Sequence, residues 1–254
     1  MSWNPQQYLK FGDVRLRPIH DLLARVNLEA PQRIVDLGCG TGTVTAVAKA
    51  RWPDARITGV DNSQAMLDRA RAAVPDVEWQ LADLNHWAPA EPPDLIVSNA
   101  ALHWLDDHAN VFPRLLSHLA PGGVLAVQMP AQHDAPSHRI GYDLAESPRW
   151  RERLSRHVRR RPILDAHEYY ALLRPLASSL DLWFVEYVQA LKGDNPVAEF
   201  TKGSFVGVWL AELTPDEARD FEADYRARIA AAYAPSGDGV TLFPFRRFFL
   251  VAQR

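Results

Sequence analysis

The sequence predicts an α/β fold, a doubly wound and mostly parallel sheet of seven strands with a helical lid. Short β-prone runs alternate with helix-like stretches through the first half of the chain. Strands that alternate with helices pair in parallel through right-handed crossovers. The first run ends in a cluster of glycines, and the last segment is again strongly β-prone. With 254 residues, 47% of them hydrophobic, the chain can bury a sizeable core without disulfides.

Each element follows from apolar spacing and from the residues that end it. The predicted strands are 33–37, 56–60, 77–81, 94–98, 124–129, about 180–191 and 245–252. The predicted helices are an amphipathic one from Leu16, then 43–51, 63–73 with Ser63 as its cap, 106–119 and about 214–233. Proline-containing turns at 53–54, 75–76 and 121–123 separate these elements.

The change of pattern along the chain predicts its organisation. Residues 1–30 form an N-terminal lid segment and the first helix, and 31–130 form a ligand-binding α/β core. Residues 131–243 form a helical cap with an intervening core strand near 180–191, and 244–254 form the final core strand. The helical material is expected to cover the ligand crevice and not to fold as an independent domain.

Composition excludes several classes of partner. Lysine and arginine number 28 against 31 acidic residues, for a net charge of −3, so nucleic acid and anionic membranes are not expected partners. Neither a signal peptide nor an apolar run of about 20 residues is visible. The single cysteine, Cys39, suits a reducing compartment, so we expect a cytoplasmic protein. Its histidines have no metal-ligand spacing, and its oligomeric state stays open.

The glycine turn after the first strand predicts a ligand site. Gly38, Gly40 and Gly42 let backbone approach a ligand that a Cβ would block, and the following helix begins with free N–H groups. Thr43 occupies the third position of the dinucleotide fingerprint, which disfavours a pyrophosphate ligand. A glycine turn that only packs a helix on the sheet remains the structural alternative.

Polar residues follow the next three strands at the same edge of the sheet. Asp61 ends the second strand and is suited to accept hydrogen bonds from ribose hydroxyls. Asp83 and Leu84 follow the third strand and can bracket an adenine, with the carboxylate accepting from its amine. Asn99 ends the fourth strand and faces the same crevice. Helix capping remains the alternative role for Asp61.

This ordered series resembles the class I S-adenosylmethionine-dependent methyltransferases. The matching residues are Asp36 to Gly42, Asp61, Asp83-Leu84, Asn99 and Leu119-x-Pro121-Gly122-Gly123. The resemblance implies that the glycine turn holds the methionine part of S-adenosyl-L-methionine. It also implies that Asp61 binds the ribose, that Asp83 and Leu84 bind the adenine, and that the Asn99 backbone lies near the amine. S-adenosyl-L-homocysteine is then the product.

Both ends of the chain resemble the trans-aconitate methyltransferase branch of that family. The matching segments are Trp3-Asn4-Pro5 with Tyr8, Arg15-x-Arg17-Pro18, 21–26, 99–105, 124–130 and Phe245-x-Arg247-x-Phe249. His103 stands where the branch is expected to have glutamine. This resemblance implies a carboxyl O-methyltransferase that makes the monomethyl ester of trans-aconitate, a small polycarboxylate.

Independent chemistry agrees with a carboxyl acceptor. A carboxylate is already ionised at neutral pH, so we expect no catalytic base, only positioning and charge neutralisation. Arginine forks suit a polyacid; the candidates are Arg17, Arg246 and Arg247, with Arg246 on the opposite strand face from Arg247. Arg17 is assigned to the cofactor carboxylate and Arg247 to the substrate. The aromatic residues predicted to wall the methyl-transfer pocket are Trp3, Tyr8, Trp104 and Trp209.

Other functions stay open at this point. The acceptor can be another small acid or a quinone-type ring carbon, although ring methylation should need a base. A nicotinamide-dependent oxidoreductase shares the fold but is disfavoured by Thr43. A non-catalytic nucleotide-binding module would bind the cofactor and turn over nothing.

Overall fold

The computed structural model describes residues 12–254. Seven strands form one sheet in the order β3-β2-β1-β4-β5-β7-β6. Their bounds are β1 Arg33–Leu37, β2 Arg56–Asp61, β3 Glu78–Leu81, β4 Leu95–Asn99, β5 Val124–Pro130, β6 Ser179–Leu191 and β7 Thr241–Gln253. β1 to β5 pair in parallel, and β7 pairs antiparallel with β5. The predicted fold class is therefore confirmed.

The central strands β1 and β4 carry the apolar side chains that the sheet buries. Ile34 and Leu37 of β1 are 1% exposed, and Ile96 and Val97 of β4 are fully buried. A parallel sheet that carries helices on its faces needs such continuous apolar runs. Because β1, β2 and β4 pair in parallel, their carboxyl ends lie at one edge of the sheet, where the polar residues follow.

Helices connect the strands as the spacing predicts, with small differences at their ends. The first helix runs from Gly12 to Leu23 and buries Ile19, Leu22 and Leu23. The remaining long helices before β6 are Thr43–Arg51, Gln64–Ala73, His108–His118, Pro136–Ala145 and Ala166–Leu173. A 3-10 turn, Leu102–Trp104, follows β4. Between β6 and β7 the longest helix is Pro215–Ala232.

Ser63 has the N-cap position of Gln64–Ala73 predicted for it, but within residues 12–254 its hydroxyl lacks the side-chain hydrogen bond of a typical cap. Its backbone N–H instead donates to Asp61 Oδ1 at 2.9 Å. The carboxylate two residues earlier organises this turn, as aspartate commonly does.

The chain divides into two compact units. The sheet unit contains Leu16–Pro130, Pro162–Val185 and Arg247–Arg254. Among the described residues, the helical unit contains 12–15, Ala131–Arg161 and Glu186–Arg246, and it has a core of its own. The largest fully buried side chains of that core include Trp209, Tyr225, Phe221 and Phe243.

Two further observations concern the described part of the chain. None of its helices has the length and apolar character needed to cross a membrane. Nor does any group of three or more histidine, cysteine, aspartate or glutamate side chains in it form an arrangement able to hold a metal ion.

Candidate active site

The glycine turn after β1 adopts backbone that side chains disfavour. Gly38, Gly40 and Gly42 have φ of 72°, 54° and 80°, all in the left-handed region where glycine is the default residue. A Cβ at Gly38 would overlap the Cβ of Ala101, whereas a Cβ at Gly40 would meet no described atom within 4 Å. Gly38 is therefore required for close packing against the segment after β4, and Gly40 borders open space.

The Asp61 carboxylate connects the glycine turn to the start of the helix Gln64–Ala73 through two hydrogen bonds. Its Oδ2 accepts from the Gly40 N–H at 2.9 Å, and its Oδ1 accepts from the Ser63 N–H at 2.9 Å. Each carboxylate oxygen has a second lone pair. The group can thus hold the loop in place and still accept hydrogen bonds from a ligand.

Asp36 is a buried acid directly beneath the glycine turn. Its side chain is 0% exposed, and its Oδ2 accepts from the Thr45 hydroxyl at 2.6 Å. Burial raises the pKa of Asp36 to about 7, with a smaller contribution from the charge of Asp61. Its Oδ1 is buried and has no partner among the residues that the structure describes.

Asp83 and Leu84 are placed differently from each other. The Asp83 carboxylate is exposed, and its Oδ1 accepts from the backbone and side-chain nitrogens of Asn85, both at 2.9 Å. The Asn85 backbone N–H is the main reason why the pKa of Asp83 is lowered. Leu84 is buried, and its Cδ1 would lie 3.6 Å from a Cβ at Gly38. The loop after β3 thus reaches the glycine turn through Leu84.

The end of β4 carries two unusual features. Asn99 Oδ1 is buried and, within the described range, without a hydrogen-bond partner. Ala100, the next residue, has φ of 54°, which is uncommon for a residue with a Cβ and frequent at functional sites. Its N–H donates to the Gln128 carbonyl at 2.9 Å, which helps to hold this backbone. Nothing in the sequence signals an alanine in this conformation.

Arg247 is the candidate arginine that the sheet buries. It is 8% exposed, and its Nη1 donates to Gln128 Oε1 at 3.0 Å. Arg246 is exposed, so the two arginines alternate across the strand as predicted. Gln128 is a residue that the sequence reasoning missed, because its pairing with Arg247 depends on the register of β5 and β7.

Of the remaining predicted residues, the structure describes Arg17 and Trp104. Arg17 is exposed on the first helix. Trp104 is 48% exposed, with its ring 4.8 Å from the His103 ring. Trp3 and Tyr8 lie outside the described residues. Cys39 is buried, and burial is the main cause that raises the pKa of its thiol.

Trp209, predicted to wall the pocket, is buried in the core of the helical unit. It is 2% exposed, and its indole N–H donates to the His157 carbonyl at 3.3 Å. Its ring lies 4.7 Å from Phe205, 6.0 Å from Tyr142 and 6.1 Å from Phe221. Through these contacts the Trp209 ring forms part of the core of the helical unit.

Comparison with known proteins gives one family and several full-length relatives. A family model described as a methyltransferase domain matches residues 8–175. A trans-aconitate 2-methyltransferase of Azoarcus sp. (strain BH72) is 49% identical over 254 residues, covering 100% of this chain and 99% of that protein. The enzyme of the same name from Streptomyces coelicolor is 47% identical, covering 100% of this chain and 87% of that protein.

Solved structures share the fold at low sequence identity. The YcgJ protein from Bacillus subtilis has a TM-score of 0.60 at 15% identity, covering 94% of this chain and 98% of that one. A coclaurine N-methyltransferase bound to N-methylheliamine and SAH has a TM-score of 0.53 at 14% identity, covering 94% of this chain and 72% of that one.

The fold and the glycine turn thus define an S-adenosylmethionine-dependent methyltransferase. Within this class, the chain belongs to the trans-aconitate 2-methyltransferase family. Both resemblances seen in the sequence are confirmed, together with the cofactor.

The described residues fit the cofactor on their own geometry. Asp36 Oδ1 and Asn99 Oδ1 are buried acceptors without partners in the described range, and an ammonium group is a donor that satisfies such acceptors. The backbone at Gly40 borders open space. These observations match a ligand that carries an amino-acid end and approaches the backbone closely.

Proposed function

We propose that the protein transfers a methyl group from S-adenosylmethionine to a carboxylate oxygen of trans-aconitate, releasing the monomethyl ester and S-adenosylhomocysteine. The observation that carries the proposal is the full-length similarity to enzymes of that name, at 49% identity over 254 residues for one of them. The buried Arg247 supports it, because a polyacid substrate needs a cation where the sheet excludes water.

In this proposal, the amino-acid end of the cofactor lies over β1 and β4. The Oδ1 atoms of Asp36 and Asn99 accept hydrogen bonds from its ammonium group, and Arg17 pairs with its carboxylate. Asp36 titrates near neutral pH, and the nearby ammonium charge would favour its ionised form. The Gly38–Gly42 turn allows the backbone to approach the bound molecule.

The nucleoside end is assigned to β2 and β3. Asp61 would use its remaining lone pairs to accept hydrogen bonds from the ribose hydroxyls. Leu84 would pack against the adenine ring, and Asp83 would accept from its exocyclic amine through Oδ2, since Oδ1 already binds Asn85.

The reaction requires the protein to position the two substrates and to neutralise charge, but it requires no general base. The bound cofactor supplies an electrophilic methyl group on its sulfonium. A carboxylate has a pKa near 4, so it is ionised at neutral pH and needs no general base. Arg247 would neutralise the acid. Trp104 would present its ring face to the sulfonium, an attraction worth about 0.5–2 kcal/mol. Trp3 and Tyr8, which we also propose for substrate binding, lie outside the described residues.

Methyl transfer to a panel of di- and tricarboxylates tests the proposal, with a phenol and an amine as other acceptor classes. We expect one ester and one S-adenosylhomocysteine per turnover with trans-aconitate. Activity on the phenol or the amine without carboxyl methylation would contradict it.

A matched pair of arginine variants tests the role of Arg247. Arg247→Met should raise KM for trans-aconitate by about 10- to 100-fold, the loss of one charge-assisted hydrogen bond or more. Arg246→Met, on the exposed face of the same strand, is the control and should leave KM within about twofold, as for most surface changes. Equal effects of the two variants would remove Arg247 from the substrate site.

A further inference from the structure

Strand register places three polar side chains on one face of the sheet. Asn99 of β4 is the partner of Gln128 in β5, and Gln128 is the partner of Phe249 in β7. Because side chains alternate along a strand, Arg247, two residues before Phe249, faces the same side. Asn99, Gln128 and Arg247 therefore form a row on that face of the sheet unit.

Gln128 has an amide whose orientation is fixed and whose donor is unused. Its side chain is 0% exposed, and its Oε1 accepts from Arg247 Nη1 at 3.0 Å. Arginine only donates hydrogen bonds, so the amide oxygen must be the atom that faces it. The Nε2 group is then directed elsewhere; it is buried and, among residues 12–254, has no partner. A buried donor without a partner is uncommon in folded proteins and calls for an explanation such as a bound water or a ligand.

The chemistry of the pair selects the ligand. An amide N–H next to a guanidinium offers donors and a positive charge, and a carboxylate, which only accepts, is the complementary group. This carboxylate should not be the one that is methylated, because donors on the attacking oxygen would stabilise its lone pairs and slow attack. A polycarboxylate has other carboxylates available for binding.

We propose that Gln128 is a specificity-determining residue: its Nε2 donates to a non-reacting carboxylate of the acid substrate, beside Arg247, while its Oε1 orients the guanidinium. The inference rests on the proposed function. The amino-acid end of the cofactor also carries a carboxylate, so the test must separate the two sources.

Calorimetry distinguishes binding of a substrate carboxylate at Gln128 from binding of the cofactor carboxylate there. S-adenosylhomocysteine is titrated into the protein first, and trans-aconitate is then titrated into the saturated complex. Gln128→Met removes both the donor and the acceptor for Arg247 and keeps the volume. It should weaken trans-aconitate binding by about 10- to 100-fold, as expected for a hydrogen bond to a charged group, and leave S-adenosylhomocysteine binding within about twofold. The opposite pattern would assign the donor to the cofactor and overturn the inference.

A second variant and a control distinguish the loss of the Gln128 donor from a general loss of stability. Gln128→Glu keeps an acceptor for Arg247 but replaces the donor by a negative charge, so its loss of affinity should be at least as large. Ser98→Ala removes another buried hydrogen bond, from the Ser98 hydroxyl to the Leu37 carbonyl at 2.8 Å. It should lower Tm and leave trans-aconitate affinity unchanged.

Substrate analogues identify the carboxylate. cis-Glutaconate, itaconate and mesaconate each lack a different carboxylate of trans-aconitate, and the analogue without the bound carboxylate should bind the wild type and Gln128→Met equally well. If the wild type methylates trans-aconitate and Gln128→Met binds it as tightly, this inference alone fails. If the wild type neither binds nor methylates trans-aconitate, both the proposed function and this inference fail.

Discussion

Alanine at Gly38 should destabilise the protein far more than alanine at Gly40. Both glycines have φ in the left-handed region, so alanine costs about 1–2 kcal/mol at either position. At Gly38 the new Cβ also overlaps the Cβ of Ala101, and overpacking of this kind adds about 1–3 kcal/mol. The expected loss is therefore about 2–5 kcal/mol for Gly38→Ala and about 1–2 kcal/mol for Gly40→Ala.

Thermal unfolding without ligand measures the difference. In a protein of this size, 1 kcal/mol shifts Tm by about 2–4 °C. Gly38→Ala combined with Ala101→Gly removes the overlapping atom and should recover the overpacking part of the loss, while Ala101→Gly alone lowers stability by only about 0.5–1 kcal/mol. Equal Tm losses for the two alanine variants, or no recovery in the double variant, would refute the reasoning.

Alanine at Gly40 should impair ligand binding more than it impairs stability. The Cβ at Gly40 enters open space at the candidate cofactor site. Gly40→Ala should therefore fold and yet bind S-adenosylhomocysteine weakly, as isothermal titration measures. Wild-type affinity in a folded Gly40→Ala variant would place the cofactor elsewhere.

Three further predictions concern the acids and the ligand. Because burial raises the pKa of Asp36 to about 7, the native state keeps a proton between about pH 4 and 7 that the unfolded state loses, so this group lowers stability as pH rises through that window. Asp36→Asn should lack that contribution, so its free energy of unfolding relative to the wild type, measured by chemical denaturation, should rise by on the order of 4 kcal/mol between about pH 4 and 7. If the free energies of unfolding of the two proteins depend on pH in the same way, the raised pKa is contradicted. Asp61→Asn turns an amide N–H2 toward the backbone N–H of Gly40 or Ser63, and urea titration should show a loss of about 1–3 kcal/mol, whereas unchanged stability would mean that those bonds contribute nothing. S-adenosylhomocysteine at 100 times its Kd should stabilise the wild type by about 2.7 kcal/mol in a thermal-shift assay, and a comparable shift with NADH would contradict the cofactor.

The sequence was sufficient for the elements whose local signals agree. Apolar runs closed by glycine or proline place β1 at Arg33–Leu37 and the next helix at Thr43–Arg51, as predicted. The order of Asp36, Asp61, Leu84 and Asn99 along successive strands places their loops at one sheet edge, because parallel strands end together.

Features set by long-range register or by strain could not be predicted in this way. Gln128 and Arg247 are 119 residues apart, so their pairing follows only from the antiparallel match of β5 and β7. Ala100 adopts a positive φ that alanine does not signal. The sequence suggests Trp209 as a pocket aromatic and gives no sign of its packing against Phe205 and Phe221, which depends on contacts within the helical unit. Ser63 has its predicted N-cap position, but the hydrogen bond in that turn goes from its backbone N–H to Asp61, which the sequence did not indicate.

The position of β7 has a consequence for how the chain folds during synthesis. β7 lies between β5 and β6 in the sheet, although β6 precedes it in the chain. While the ribosome is still making residues 241–253, β5 has an unpaired edge and β6 has no neighbour to join. Such edges invite pairing with other chains. The nascent protein should therefore be most prone to aggregation just before Arg247 and the rest of its strand emerge from the ribosome.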